Sequence, residues 1–159
     1  TGSPAFSLGA AYAYGQNEIV IPAEAGASTI DGVDVQTVDI DLNFKYRGFS
    51  THAEILTQDL DRDSGDASPF GWTAQAGYFL FPKEFELAAR FAYLDCDDGG
   101  AGGQCKSSTQ DIQEVAVSGN YFFWGPALKV QLALVHRNDS YEGEDQSTNK
   151  VIFQFTSVL

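Results

Sequence analysis

The chain has 159 residues, with 9 Lys+Arg against 22 Asp+Glu, a net charge of −13 and 43% hydrophobic residues. So acidic a balance argues against a nucleic-acid partner, which needs a basic stripe. No run approaches the ~18 apolar residues of a membrane helix, and mean hydropathy is −0.18, which excludes helical spans but not strand spans, whose signal is alternation.

The first alternating segment is residues 6–14, FSLGAAYAY. Before it, TGSPAFSLGA carries no signal-peptide pattern, so the chain reads as mature or as cut from something longer. Residues 15–32 form the longest connection. Within it QNEIVIPAEAG reads as loop, because Pro22 and nearby glycines oppose a helix; it is the best candidate for a constriction or a subunit contact. The second and third segments, 37–47 (TVDIDLNFKYR) and 49–58 (FSTHAEILTQ), meet at Gly48. An acidic connection, 59–69, carries DLDRDSGD. The fourth and fifth segments lie in 70–95, apolar at Trp72, Ala74, Ala76, Tyr78 and Leu80 and again at Phe85, Leu87, Ala89, Phe91 and Tyr93, on either side of Pro82-Lys83-Glu84.

Cys96 and Cys105 then bracket DDGGAGGQ. One pair across a short Gly-rich loop is expected to form a disulfide in an oxidising compartment. Free thiols or a metal pair are the alternatives, and no further ligands lie nearby in sequence. The sixth and seventh segments, 111–124 (DIQEVAVSGNYFFW) and 128–137 (LKVQLALVHR), join through Gly125-Pro126, and a polar connection, 138–149, leads to the eighth, 150–159 (KVIFQFTSVL). Eight strands with short turns at one end and long polar loops at the other predict an all-β, antiparallel, up-and-down transmembrane β-barrel. Residues 1–159 are then one barrel domain or the C-terminal part of a larger one. A soluble lipocalin-like barrel would have the opposite polarity, with an apolar lumen.

Parity assigns the faces. Val38, Ile40, Leu42, Phe44 and Tyr46 share one side of the second segment, and Leu128, Val130, Leu132 and Leu134 one side of the seventh. The opposite side supplies the candidate pore lining: Asp39, Asp41, Asn43, Lys45 and Arg47, then His52 and Glu54, Glu86 and Arg90, Glu114, and Lys129 and Arg137. The apolar side ends in aromatics, a candidate girdle of Tyr12, Tyr14, Tyr46, Trp72, Tyr93 and Tyr121. Apolar outside, polar lumen and aromatic rims are what lipid and its interfaces demand.

FKYRGFSTHAEIL, the run from Gly71 to Asp95 and EVAVSGNYFFWGPALKVQLALVHR resemble the phosphate-selective porin O and P family over residues 37–159. The resemblance implies a sixteen-stranded, trimeric porin of the bacterial outer membrane, of which eight strands are half, in contact with lipid and lipopolysaccharide and passing small ions or solutes with no cofactor. Two departures stand out. FQFTSVL ends on Leu159 where such porins commonly end on an aromatic. Five candidate lumen bases (Lys45, Arg47, Arg90, Lys129, Arg137) face five acids (Asp39, Asp41, Glu54, Glu86, Glu114), where an anion pore wants an excess of base. The expected function is therefore general passive diffusion. The alternative is a sealed eight-stranded barrel that anchors or binds a partner without conducting, since side chains nearly fill so small a barrel.

No enzyme is expected. Ser50, His52 and Glu54 share a face, but alternate strand residues stand ~7 Å apart, too far for a catalytic chain. His136 falls on the apolar parity as an interface residue. Asp59, Asp61 and Asp63 have the i, i+2, i+4 spacing of a calcium loop but lack its Glu at the twelfth position. They read as a solvated acidic loop, with a divalent ion bridging to lipopolysaccharide as a minor possibility.

Overall fold

The computed structural model describes residues 3–22, 28–62, 67–96, 109–124, 128–141 and 144–157. They form eight strands: β1 Ala5–Pro22, β2 Ser28–Tyr46, β3 Phe49–Arg62, β4 Phe70–Phe81, β5 Phe85–Asp95, β6 Thr109–Phe122, β7 Leu128–Tyr141 and β8 Glu144–Ser157. All lie in one sheet in chain order, each antiparallel to the next. The alternating segments are therefore strands, and their neighbours in sequence are their neighbours in space.

The turn ends follow from local chemistry. Tyr46 pairs with Phe49, leaving Arg47 at φ 46° and Gly48 at φ 85° as a two-residue loop. Positive φ at both positions is the type I′ geometry that suits the twist of a hairpin, and Gly48 adopts it without steric cost. The Arg47 guanidinium lies 5.1 Å from the centre of the Tyr46 ring. At Pro82-Lys83-Glu84, Lys83 takes φ 67° and the Glu84 N–H donates to the Phe81 carbonyl at 3.1 Å. The Gly125-Pro126 turn lies outside the described residues.

The opposite end differs from the sequence expectation. The connections expected at 15–32 and 138–149 are mostly ladder: β1 and β2 pair to Pro22↔Ser28, and β7 and β8 to Tyr141↔Glu144. Alternation reports one greasy face. Along QNEIVIP and NDSYEGED the alternation fades, while the backbone hydrogen bonds continue.

The sheet is inside out relative to a soluble fold. On β7, Leu132 and Leu134 are 51% and 58% exposed, whereas Ala133 and Val135 on the polar side are 5% and 8% exposed. On β4 the outward residues Phe70, Trp72, Ala74, Ala76, Tyr78 and Leu80 are all exposed, while Gly71, Thr73, Gly77 and Phe79 are sheltered. The exposed apolar side chains also form a slanted band. On six of the strands a topmost outward apolar residue is followed by polar ones: Tyr14 on β1, Val38 on β2, Tyr93 on β5, Val115 on β6, Leu134 on β7 and Val151 on β8. Followed through the register, Val151 aligns with Leu134, Val117, Ala89, Ala76, Thr51, Phe44 and Phe6. The band top on β1 is Tyr14, about eight residues beyond Phe6, or roughly 26 Å at 3.3 Å per residue, gained over about 34 Å of sheet width. That slope tilts the strands by roughly 38° from the band normal, inside the ~35–45° of membrane barrels.

The sheet does not close on itself: among the described residues β1 and β8 make no contact. The eight strands are an open wall with a free edge on each side, as half of a larger barrel would be.

Neighbouring residues of β4 test the polarity. In phospholipid vesicles, Ala74→Arg, halfway down the outward band, should lower unfolding free energy by about 2–4 kcal/mol. Gln75→Arg on the other face should change it by about 0.5 kcal/mol or less. Urea titrations of the two variants read the difference.

Candidate functional site: the polar wall

Register carries the polar parity intact across the whole sheet. Asn43, His52, Gln75, Arg90, Ala116, Val135 and Lys150 form one continuous row. Asp41, Glu54, Thr73, Ala92, Glu114, Arg137 and Thr148 form the row above it on the loop side. Asp39, Asp41, Asn43, Lys45, His52, Glu54, Glu86, Arg90, Glu114, Lys129 and Arg137 thus stand on one face. Arg47 falls in the turn below the strand, against Tyr46. Gln131 shares this face, as parity in the seventh segment implies, and so do Lys150, Asp139, Asn120 and Gln154, which were not assigned to it from the sequence. Lys150 and Asp139 sat at the boundary of an expected loop, and the amides carry no charge to flag them.

Most charged groups on the wall have partners. Arg90 pairs with Glu114, and Arg137 with Asp139 at 2.6 Å. Asn43 donates to Asp41 at 2.9 Å. Asn120 donates to Glu86 Oε2 at 3.1 Å, and Ser50 to Glu86 Oε1 at 3.5 Å. Lys129 donates to Gln131 at 3.2 Å.

One spacing argument is corrected. His52 Nε2 lies 3.4 Å from Glu54 Oε2, so two long side chains close a gap that their Cα atoms do not. Ser50 does not complete the set: its hydroxyl goes to Glu86, and His52 Nδ1 lies 3.0 Å from Asn43 Oδ1. Among the described residues no nucleophile is positioned against this histidine.

The strand slant changes how charge is read along the wall. Measured down each strand from the top of the outward band, Asp39, Asp41, Glu54, Glu114 and Asp139 all lie in or above its upper part, with Arg90, Arg137 and Lys150. Lys45 and Lys129 lie deeper, with Glu86 the carboxylate at their depth, while His52 stands between the two zones beside Glu54. The loop half is net acidic and the turn half net basic, a segregation hidden in the count of five against five.

A second unpredicted feature is an apolar patch on the polar face at the loop end. Leu60 and Ala67 pack with Val35, and Cys96 and Ile112 with Leu94. Its sequence trace is a set of apolar doublets, Ile55-Leu56 and Tyr93-Leu94, where alternation breaks. Cys96 is fully buried there and is not a free thiol; Cys105 lies outside the described residues. Asp59 and Asp61 extend β3, pointing to the same outward side rather than wrapping a loop, and Asp63 lies outside the described residues.

The aromatics form two belts. Tyr12, Tyr14, Trp72 and Tyr93 sit at the loop-side margin, with the Trp72 ring tilted against Phe91 at 5.0 Å between centres. Tyr46 and Tyr121 sit at the turn-side margin, where Tyr121 meets Phe123 edge-on at 4.8 Å. Phe81, exposed and paired with the outward Phe85, extends the lower belt. His136 points outward above Leu134, 2.8 Å from Asn149.

The sequence model of the family described as phosphate-selective porin O and P matches residues 12–157. No curated protein and no solved structure matches the chain.

Two substitutions weigh the wall's polar pairs. Arg90→Ala removes an ion pair with a half-exposed arginine and should cost about 1 kcal/mol or less. Asn120→Ala removes a donor that is 6% exposed and leaves Glu86 short of a partner, at about 1–3 kcal/mol. Equilibrium unfolding in lipid ranks them.

Proposed function

The chain belongs to the phosphate-selective porin O and P family, and from that premise we propose that it forms part of the wall of a bacterial outer-membrane porin. Small hydrophilic solutes and ions cross its lumen passively, down their gradients. The observation that carries this reading is the slanted apolar band: a lipid-facing belt tilted as barrel strands tilt, backed by a continuous polar face. The separated edges β1 and β8 support a barrel completed by further strands, sixteen in all by family resemblance. They count against a sealed, non-conducting eight-stranded barrel.

In this reading the belts Tyr12, Tyr14, Trp72 and Tyr93, and Tyr46 and Tyr121, sit at the two interfaces. Lipid and lipopolysaccharide contact the outward face, and the barrel assembles as a homotrimer. Cys96 and Cys105 join in a disulfide that ties the loop between β5 and β6, as the absence of a free thiol at Cys96 supports. The wall provides orientation by hydrogen bonding and fixed charge; no reaction and no cofactor is assigned to it. Ions arriving from the loop side meet an acidic zone first, then a basic one. Neither sign dominates the whole path, which favours a weakly selective diffusion pore.

Planar-bilayer recording of the native protein tests this. Stepwise, ohmic conductance at high salt is expected; folded, inserted protein that passes no current would overturn it. Zoned charge adds a second expectation. At low salt, current should be larger when cations are driven from the loop side to the turn side, because each ion enters through the zone that attracts it and both accumulate at the junction. At about 1 M salt, where the screening length is ~3 Å, the asymmetry should vanish.

A further inference from the structure

We propose that Glu86, held flat against the wall over Gly77, sets the charge selectivity of the turn-side half of the pore. This rests on the pore reading above. Glu86 is the carboxylate on the polar face that stands with Lys45 and Lys129 toward the turn end, and it lines two recesses. One, of about 440 Å³, opens at the turn end beside Lys45 and Ser50. The other, of about 360 Å³, lies further up the wall beside Arg90, Asn120 and Lys129. No lysine, arginine or histidine among the described residues comes within ion-pair distance of Glu86. Its charge is therefore not cancelled locally, and it counts against each base in those recesses.

The carboxylate's position is fixed from three sides. Asn120 donates to Oε2 at 3.1 Å and Ser50 to Oε1 at 3.5 Å. From the neighbouring strand, Gly77 leaves the space that the carboxylate fills. A Cβ at Gly77 would lie 2.6 Å from Glu86 Oε1, 3.2 Å from its Cδ and 3.0 Å from Ser50 Oγ. Carbon does not approach oxygen so closely, so any side chain at 77 lifts Glu86 off the wall. Gly77 is in regular strand, and its crowding neighbours are the ends of movable side chains, so alanine is accommodated by moving the carboxylate rather than the backbone. The glycine is a positioning residue: it holds a negative charge at the wall, behind the bases. Displaced into the lumen, the same charge stands closer to passing ions, where Coulomb energy rises steeply at short range.

Glu86→Gln keeps an amide oxygen to accept from Asn120, turns its NH2 toward the Ser50 hydroxyl, which can accept, and removes the charge. It should raise the anion-to-cation permeability ratio several-fold, read as a shift in reversal potential under a salt gradient. Gly77→Ala should move the ratio the opposite way. In the double variant, Gly77→Ala should add nothing to Glu86→Gln, because the group it displaces is then neutral. Circular dichroism and heat-modifiable gel mobility confirm that each variant is folded. Unmoved reversal potentials in Glu86→Gln or Gly77→Ala, or an alanine effect that survives in the double variant, would overturn this inference while leaving the pore intact. Native protein that inserts yet passes no current would overturn the pore reading and this inference together.

Discussion

Hydrocarbon offers no hydrogen bonds, so every peptide group that enters it must be bonded to another strand. That constraint organises what is seen here. It explains why the strands form one uninterrupted sheet in chain order, why the turns are tight where the strands reverse, and why the apolar side chains face outward. It also makes the two free edges meaningful. A wall whose first and last strands stand apart pairs its peptide groups between strands everywhere except along β1 and β8, and in the porin wall proposed above those edges would pair with further strands.

Strand tilt links the sheet to the charges on it. Because the apolar band climbs the register by about eight residues from β8 to β1, residues in one hydrogen-bonded row stand at different heights in the membrane. Arg90 and Lys150 share a row, yet Lys150 lies above its band top and Arg90 below. Heights taken from the band separate an acidic loop half from a basic turn half. Within the basic half, glycine at one strand position decides where an acid on the next strand can lie. Selectivity in such a wall is a matter of how far each fixed charge projects, as well as of how many there are.

Much of the fold was legible in the sequence, because a strand with lipid on one side and water on the other writes that contrast into every second residue. The eight segments, their faces and the short turns all follow from it. The upper ends of β1, β2, β7 and β8 did not, since there the residues no longer alternate between apolar and polar while the backbone ladder continues. Glu114 and Arg137 could be assigned to the polar face by parity, but not to their heights, which depend on register and tilt between strands. Likewise Ser50 was legible as a lumen residue, while its bond to Glu86 across β4 was not. The gap between His52 and Glu54 was misjudged, because Cα spacing understates the reach of two long side chains.

The most direct test is a nitroxide scan along β4, with a single label at each of positions 72 to 79 in protein reconstituted into lipid vesicles. Collision with oxygen, which concentrates in hydrocarbon, is compared with collision with a water-soluble nickel complex. Oxygen accessibility should peak at 72, 74, 76 and 78 and nickel accessibility at 73, 75, 77 and 79, in opposite phase. Phases reversed, or nickel reaching both sets equally, would contradict an outward face in contact with lipid.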